Sequence, residues 1–247
     1  MEPPEQKKVV STSGKRKIEE KHKHIPGRGL IGNLALGLTD GVITNVAFLA
    51  GFAGANQGIA IIRFAGYASM LAGAVSMFFS GLNASRAEHD LFKADANREL
   101  LEIEQEPDEE KQELKNIYIE KGLTAKESEI VVRRISSDKQ KWLDDLLIHE
   151  IHVSREELEH PLKMASVIGL SFLIGALVPL LGYLFSIDRV VSIATSVILS
   201  LVFLFFVGGW KGRLVERKFW RAGLEMLLIG VAASSLLFLI GYVLVFV

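Results

Sequence analysis

Cysteine is absent from the 247 residues, which excludes disulfides and thiolate metal sites and leaves the compartment open. Charge is almost as scarce in three long stretches. Residues 30–83 carry only Asp40 and Arg63, residues 164–209 only Asp188 and Arg189, and residues 222–247 only Glu225. The chain as a whole is nonetheless 23% charged and 49% hydrophobic, so the two populations are separated into blocks. Of the 29 acidic residues, 21 lie between positions 84 and 163. Segregation on this scale implies two solvents, lipid for some segments and water for others.

A helix needs about 20 apolar residues to cross the hydrocarbon core. Five segments qualify: 30–54, 59–83, 164–186, 189–210 and 222–247. The third contains Pro179, tolerated in a membrane helix where neighbouring helices satisfy the freed carbonyl. The N-terminal run of Lys7, Lys8, Lys15, Arg16, Lys17, Lys21, Lys23 and Arg28 has no small-residue cleavage site after it, which argues against a signal peptide. It reads as an orientation signal beside a span rather than a nucleic-acid arm. Lys and Arg also fill the 84–163 segment and the connection holding Lys211, Arg213, Arg217, Lys218 and Arg221. If the spans alternate, all three basic segments fall on one side. The positive-inside rule then places the N-terminus and the large segment in the cytoplasm and the C-terminus outside. The expected organisation is a basic tail over 1–29, spans 1 and 2 over 30–83, a cytoplasmic helical acidic domain over 84–162, and spans 3 to 5 over 163–247.

Within 84–162 the pattern is helical. Span 2 should continue into water as far as Glu106, and Pro107 opens a new helix whose first turn, Asp108-Glu109-Glu110, suits the positive end of its dipole. Gly122 stops that helix, and Thr124 with Glu127 forms a capping box for the next. A further helix is expected over 138–152, and a second capping box at Ser154 and Glu157. Glu99, Glu102 and Glu106 share one helix face, and Glu110 and Glu113 repeat the spacing beyond the Pro107 break. An antiparallel hairpin would bring the two faces together. Spacing alone leaves two readings open: a solvated acidic face partnered by Lys111 and Lys115, or a site for a hard or borderline divalent cation. His149-Glu150-Ile151-His152 has the wrong histidine spacing for the zinc-protease motif. Glu157-x-x-His160 has di-iron spacing but occurs once within the 84–162 segment, directly before Pro161.

Asp40 stands near the middle of span 1, where a charge costs at least about 2.5–3.5 kcal/mol. It reads as an ion or proton site; the structural alternative is a neutral acid bonded to Thr39, Thr44 or Asn45. Met77 in span 2 offers a thioether suited to a soft contact, or simply a lipophilic side chain. Gly37 and Gly41 form a small-xxx-small pair around Asp40 that permits close helix approach. Two copies meeting there would face their Asp40 carboxylates toward each other.

Together, Gly37-Leu-Thr-Asp40-Gly41, Gly73-Ala-Val-Ser-Met77, the run Glu99 to Glu113 with Pro107, Tyr118, Lys121-Gly122-Leu123 and Gly175-Ala-Leu-Val-Pro179-Leu resemble the vacuolar iron transporter family over about 30–247. The resemblance implies an all-α, five-span homodimer with a cytoplasmic helical metal-binding domain. It implies export of Fe²⁺, or Mn²⁺, from the cytosol in exchange for protons, across a cell or vacuolar membrane. It assigns the transport path to Asp40 and Met77, and metal ligation to Glu99, Glu102, Glu110, Glu113 and Glu150. The resemblance, not the spacing, favours metal over a solvated acidic face. The chain departs from the family pattern at Leu146 and Leu147 (methionines there), Gly29 and Asn33 (acids there), and Gly81 (a glutamate there). Those departures bear on proton coupling and on preference for Fe²⁺ over Mn²⁺. The rival readings are a membrane-anchored iron oxidase or store, and a metal sensor without transport. The first lacks a second Glu-x-x-His in the helical acidic segment, and the second leaves Asp40 without a purpose.

Overall fold

The computed structural model describes residues 28–150, 160–184 and 188–246. The expected capping box at Ser154 and Glu157, the Glu157–His160 pair and His152 involve positions outside the described residues. Among the described residues the chain is entirely helical: α1 (Arg28–Gly54), α2 (Ile59–Gln105), α3 (Pro107–Glu120), α4 (Ala125–Ile135), α5 (Lys139–His149), α6 (Pro161–Leu184), α7 (Arg189–Leu214) and α8 (Phe219–Phe246). Helices α1, α2, α6, α7 and α8 are long and apolar enough to cross a membrane, the number expected from the hydrophobic runs. At 1.5 Å per residue the 47 residues of α2 span about 70 Å, more than twice a hydrocarbon core. Its C-terminal half therefore stands outside the membrane as a continuous rod.

Helix α6 is the hub of the membrane bundle, packed against α1, α2 and α7, while α8 closes against α1 and α7. Leu49 and Ala53 of α1, Ile62, Met70 and Ala74 of α2, and Phe172, Ala176, Leu180 and Tyr183 of α6 form one apolar cluster. The α1–α6 crossing is backbone on backbone. A methyl group added at Gly37 or Gly41 would lie 2.5 Å from the Ile168 oxygen or 2.2 Å from the Phe172 oxygen, and one at Gly175 would lie 2.2 Å from the Leu38 oxygen. The close approach expected around Asp40 is thus made, but with α6 of the same chain. The Gly37/Gly41 face is not free for a second copy. Pro179 removes one backbone donor from α6, and Asn45 of α1 donates to the Ala176 carbonyl at 2.6 Å, next to the carbonyl that the proline frees.

Two arginines tie the helix ends at the opposite side from α3–α5. Arg63 Nε donates to the Tyr183 carbonyl at 2.6 Å, in the last turn of α6. Arg189 donates to the Ala53 carbonyl at 2.6 Å, in the last turn of α1, and to the Asn56 side chain. Each guanidinium donates to a carbonyl in the last turn of a helix (the Ala53 oxygen also accepts from the Asn56 amide) and faces the negative end of a dipole. Asp188 caps α7 through the Val191 amide.

Helices α3, α4 and α5 fold against the projecting half of α2 around Phe92, Ile103, Leu114, Val132, Trp142, Leu143, Leu146 and Leu147. Pro107 sits at the first turn of α3, and Gly122 takes φ +98° after its end, where a left-handed residue is needed. The Thr124–Glu127 capping box forms as expected, and Asp138 caps α5. The last of these helices ends at His149, with Glu150 as its C-cap.

Gly175→Ala should force α1 and α6 apart and destabilise the protein by about 1–3 kcal/mol, the range for overpacking. Gly32→Ala, whose added methyl meets nothing within 4 Å, should not. Thermal unfolding of the detergent-purified chain reads both. Equal melting temperatures for the two variants would refute the backbone contact.

Candidate metal centre

Glu99 and Glu102 lie on the last turns of α2, Glu110 and Glu113 on the first turns of α3, and Glu150 at the end of α5. The one-residue break at Glu106 folds α3 back, so the acidic faces meet. Glu99 and Glu110 form the floor, only 2% and 6% exposed, and Glu102 is half-buried. Glu113 and Glu150 stand at the exposed rim. One oxygen of Glu99 and one of Glu110 are fully buried without a hydrogen-bond partner in the chain. That is an expensive arrangement for a carboxylate.

The electrostatics follow from the geometry. Burial first, then the charges of Glu150 and Glu102, pushes Glu99 up to about 7; Arg98 opposes the shift and Glu113 adds to it. Glu110 is likewise pushed up to about 7, by burial first and then by Glu113, Glu99, Glu102 and Glu150. Glu150 is raised by desolvation, Glu113 and Glu102, against Arg98. The five expected residues therefore share one negative field. Among the described residues, no three His, Asp or Glu side chains close around a single point. The arrangement is a convergent acidic pocket, with Arg98 as the nearest opposing charge.

Beside the rim, a second group was not foreseen. Tyr118 donates to Asp145 at 2.9 Å, His149 stands edge-on to Tyr118 with ring centroids 5.9 Å apart, and Lys121 Nζ lies 2.6 Å from His149 Nδ1. Burial and the Asp145 hydrogen bond push Tyr118 up to about 12. The i, i+4 spacing of Asp145 and His149 was the available signal. This cluster fixes the last turn of α5, and so the position of Glu150. Leu146 and Leu147 are 0% and 2% exposed and belong to the apolar core beneath the pocket.

The membrane residues are arranged differently. Asp40 is half-buried, and Thr44 donates to its Oδ1 at 3.3 Å. Thr39 bonds instead to the Ala35 carbonyl and Asn45 to Ala176, so of the three partners considered only Thr44 serves Asp40. Gly32, Leu36, Asp40, Thr44 and Phe48 follow one another every fourth residue along α1, and the bundle leaves that stripe uncovered. Met77 packs against the α1–α2–α6 apolar cluster. The two path residues thus occupy different packing surfaces of the chain. At the departures from the family pattern, Asn33 Nδ2 lies 3.6 Å from the Met164 sulfur, and a side chain at Gly81 would meet Ile168 at 2.8 Å.

The pH dependence of stability has a definite sign. In the folded chain Glu99 and Glu110 hold their protons to about 7, against 4.5 for an ordinary glutamate. Between those values the unfolded chain has released protons that the folded chain retains. Their contribution is full below pH 4.5 and lost as pH rises to 7. The melting temperature of the metal-free protein should fall across that interval, and Glu99→Gln with Glu110→Gln should flatten the slope. An identical slope in the double variant would show that these carboxyls are not strained.

A profile of the VIT family matches residues 31–242. Vacuolar iron transporter 2 of Oryza sativa subsp. japonica is 32% identical over 237 residues, covering 94% of this chain and 96% of that protein. Vacuolar iron transporter 1 of Eucalyptus grandis is 31% identical, covering 89% of this chain and 88% of its own. The vacuolar iron transporter of Plasmodium berghei (strain Anka) is 32% identical, covering 85% and 81%. Five membrane-length helices and a match running from the first of them into the last make this chain an integral membrane protein that belongs to the VIT family.

Proposed function

We propose that the chain acts as a homodimer that carries Fe²⁺, or Mn²⁺, out of the cytosol in exchange for protons. The observation that carries this reading is the place of Asp40. A carboxylate at mid-membrane depth, on a stripe of α1 that its own bundle leaves uncovered, has a second copy of that stripe as its natural cover. Pairing the stripes of two protomers brings two Asp40 carboxylates together, and a divalent cation between them offsets both charges. Met77, packed on a different surface against the α1–α2–α6 cluster, would meet the ion at a separate point of the path, where its thioether suits a borderline ion such as Fe²⁺ better than Mg²⁺ or Ca²⁺. Relatives named vacuolar iron transporters support iron as the cargo.

The direction follows from charge. The start of α1, the α2–α5 unit and the α7–α8 turn fall on one face of the bundle, which the positive-inside rule makes cytoplasmic. The acidic pocket then faces the cytosol and collects the ion before it enters the membrane. Glu99 and Glu110 are pushed up to about 7, so each is partly protonated near neutral pH and a bound cation displaces protons from them. This is competition at the collecting pocket; exchange across the membrane requires the same competition at Asp40.

Asp40→Asn should reduce metal flux into proteoliposomes at least tenfold, the consequence of losing about 1.4 kcal/mol or more of ion stabilisation per carboxylate, while cross-linking still finds a dimer. Undiminished flux would remove Asp40 from the path. Glu102→Gln with Glu113→Gln should weaken Fe²⁺ and Mn²⁺ binding by the full chain roughly thirtyfold, two charges at about 1 kcal/mol each. Calorimetric titration checks it, and unchanged affinity would return the cluster to a solvated acidic face.

A further inference from the structure

A cavity of about 560 Å³ opens between the first turns of α1 and the last turn of α7, away from both the acidic pocket and Asp40. Ile31 and Ala35 of α1 and Leu214 and Val215 at the end of α7 give it apolar walls, and Lys211 stands among them. At Gly32, which also lines it, an added methyl would meet nothing within 4 Å, so that side is open. We propose that this cavity is a binding site for an anionic phospholipid, with the phosphate on Lys211 and the start of an acyl chain along the α1–α7 wall.

Depth supports a lipid. Trp210 and Trp220 are exposed at 38% and 70%, flanking the α7–α8 turn, and aromatic side chains of that kind collect at the level of the headgroups. Trp220 packs on Phe205 at 5.3 Å and on Phe219 at 5.9 Å, which fixes this end of the bundle as an aromatic girdle. The cavity is therefore at the height where phosphate and glycerol meet hydrocarbon. Charge supports an anion. The turn carries Lys211, Arg213, Arg217, Lys218 and Arg221 against Glu216 and Glu225. Glu225 is bound to Arg217 at 2.7 Å, and Arg213 lies over the Phe219 ring at 5.0 Å. Of the two charged residues that line the cavity, Lys211 is the cation and Glu216 the acid, so the cation that would take an acidic headgroup there is Lys211, within a turn whose other charges are mostly basic.

The other occupants fit less well. The tail before α1 carries seven Lys and Arg against four Glu, the same sign as the turn. A soluble phosphate would leave four apolar walls in water. Eight residues, or about 12 Å of helix, separate Gly32 from Asp40 along the uncovered stripe of α1. A lipid in the cavity would therefore border the stripe without covering its acid.

The test needs no transport, so its failure and that of the transporter reading are separate. The full chain is reconstituted in phosphatidylcholine vesicles with a minor fraction of phosphatidylglycerol, the brominated chains being on one lipid or the other, and tryptophan quenching is compared. Brominated phosphatidylglycerol should quench as though enriched roughly fivefold at the site, the effect of one lysine on an acidic lipid. Lys211→Gln should abolish the preference and Lys218→Gln should keep it. Equal loss in the two variants would mean general attraction to the basic turn and would overturn the site. Reversal by excess inorganic phosphate would point to a soluble anion and overturn it too. Equal quenching by the two brominated lipids in the unsubstituted chain, whether from a second copy or the tail filling the cavity, would do the same.

Discussion

Negative charge held out of water without a countercharge of its own is the constraint around which this molecule is organised. Glu99 and Glu110 are buried with one oxygen each unpartnered, and Asp40 lies in a membrane helix with a single threonine donor. Ordinary folding removes such groups, because each costs kilocalories that a neutral side chain of the same shape would not. Their clustering is what makes them candidate sites. Other polar groups at the bundle's crossings are paired at least in part: Arg63 and Arg189 meet helix-end carbonyls, and the Asn45 amide meets the carbonyl beside the one that Pro179 frees, while its own oxygen, like Trp142 Nε1 and Ser196 Oγ, is buried without a partner.

The scaffold that holds these groups depends on α6. Because Gly37, Gly41 and Gly175 remove the side chains at its crossing with α1, the two backbones touch, and the rotation of α1 about its own axis is fixed. That rotation decides where Asp40 goes. With the Gly37/Gly41 face turned to α6, the stripe at Gly32, Leu36, Asp40, Thr44 and Phe48 is turned away from the bundle. The same glycines that sequence reasoning offered to a second protomer are thus what present Asp40 to one. The stripe, not the glycine pair, is the surface a dimer would use.

Much of this was legible in the sequence, because the strongest signals were local or compositional. Charge segregation gave five spans, Pro107 and Gly122 gave the ends of α3, and Thr124 with Glu127 gave the start of α4. Each depends on a few neighbouring residues obeying one rule. The burial of the acidic pocket was not legible. Spacing showed that Glu99 and Glu102 share a face, but that Glu99 is buried while Glu113 is at the rim depends on how α3 lands on α2. The Tyr118–Asp145–His149–Lys121 group was missed for the same reason: its members come from two helices and the turn after one of them, and sequence shows only the Asp145–His149 spacing. Leu146 and Leu147 were noted as departures from a family pattern; their burial shows them as core, a role their position beside Glu150 concealed.

Helix α2 joins the two halves of the argument physically. Met77 and Glu99 are 22 residues apart on one unbroken helix, about 33 Å along a single rod with no proline between them. Apart from Ser80-Gly81, a pair of the kind at which long helices can kink, nothing between them interrupts the rod, so a shift of its outer end would be carried into the membrane as tilt or rotation. Relief of repulsion in the acidic pocket would draw α3 and the end of α5 onto α2, at the outer end of that rod. The packing of α2 on α6, where Met77 meets the Phe172 cluster, is the far end of the same body. If, as proposed, the acidic pocket captures the ion and Met77 lies on its path, the two need no separate signal between them, because one helix is part of both.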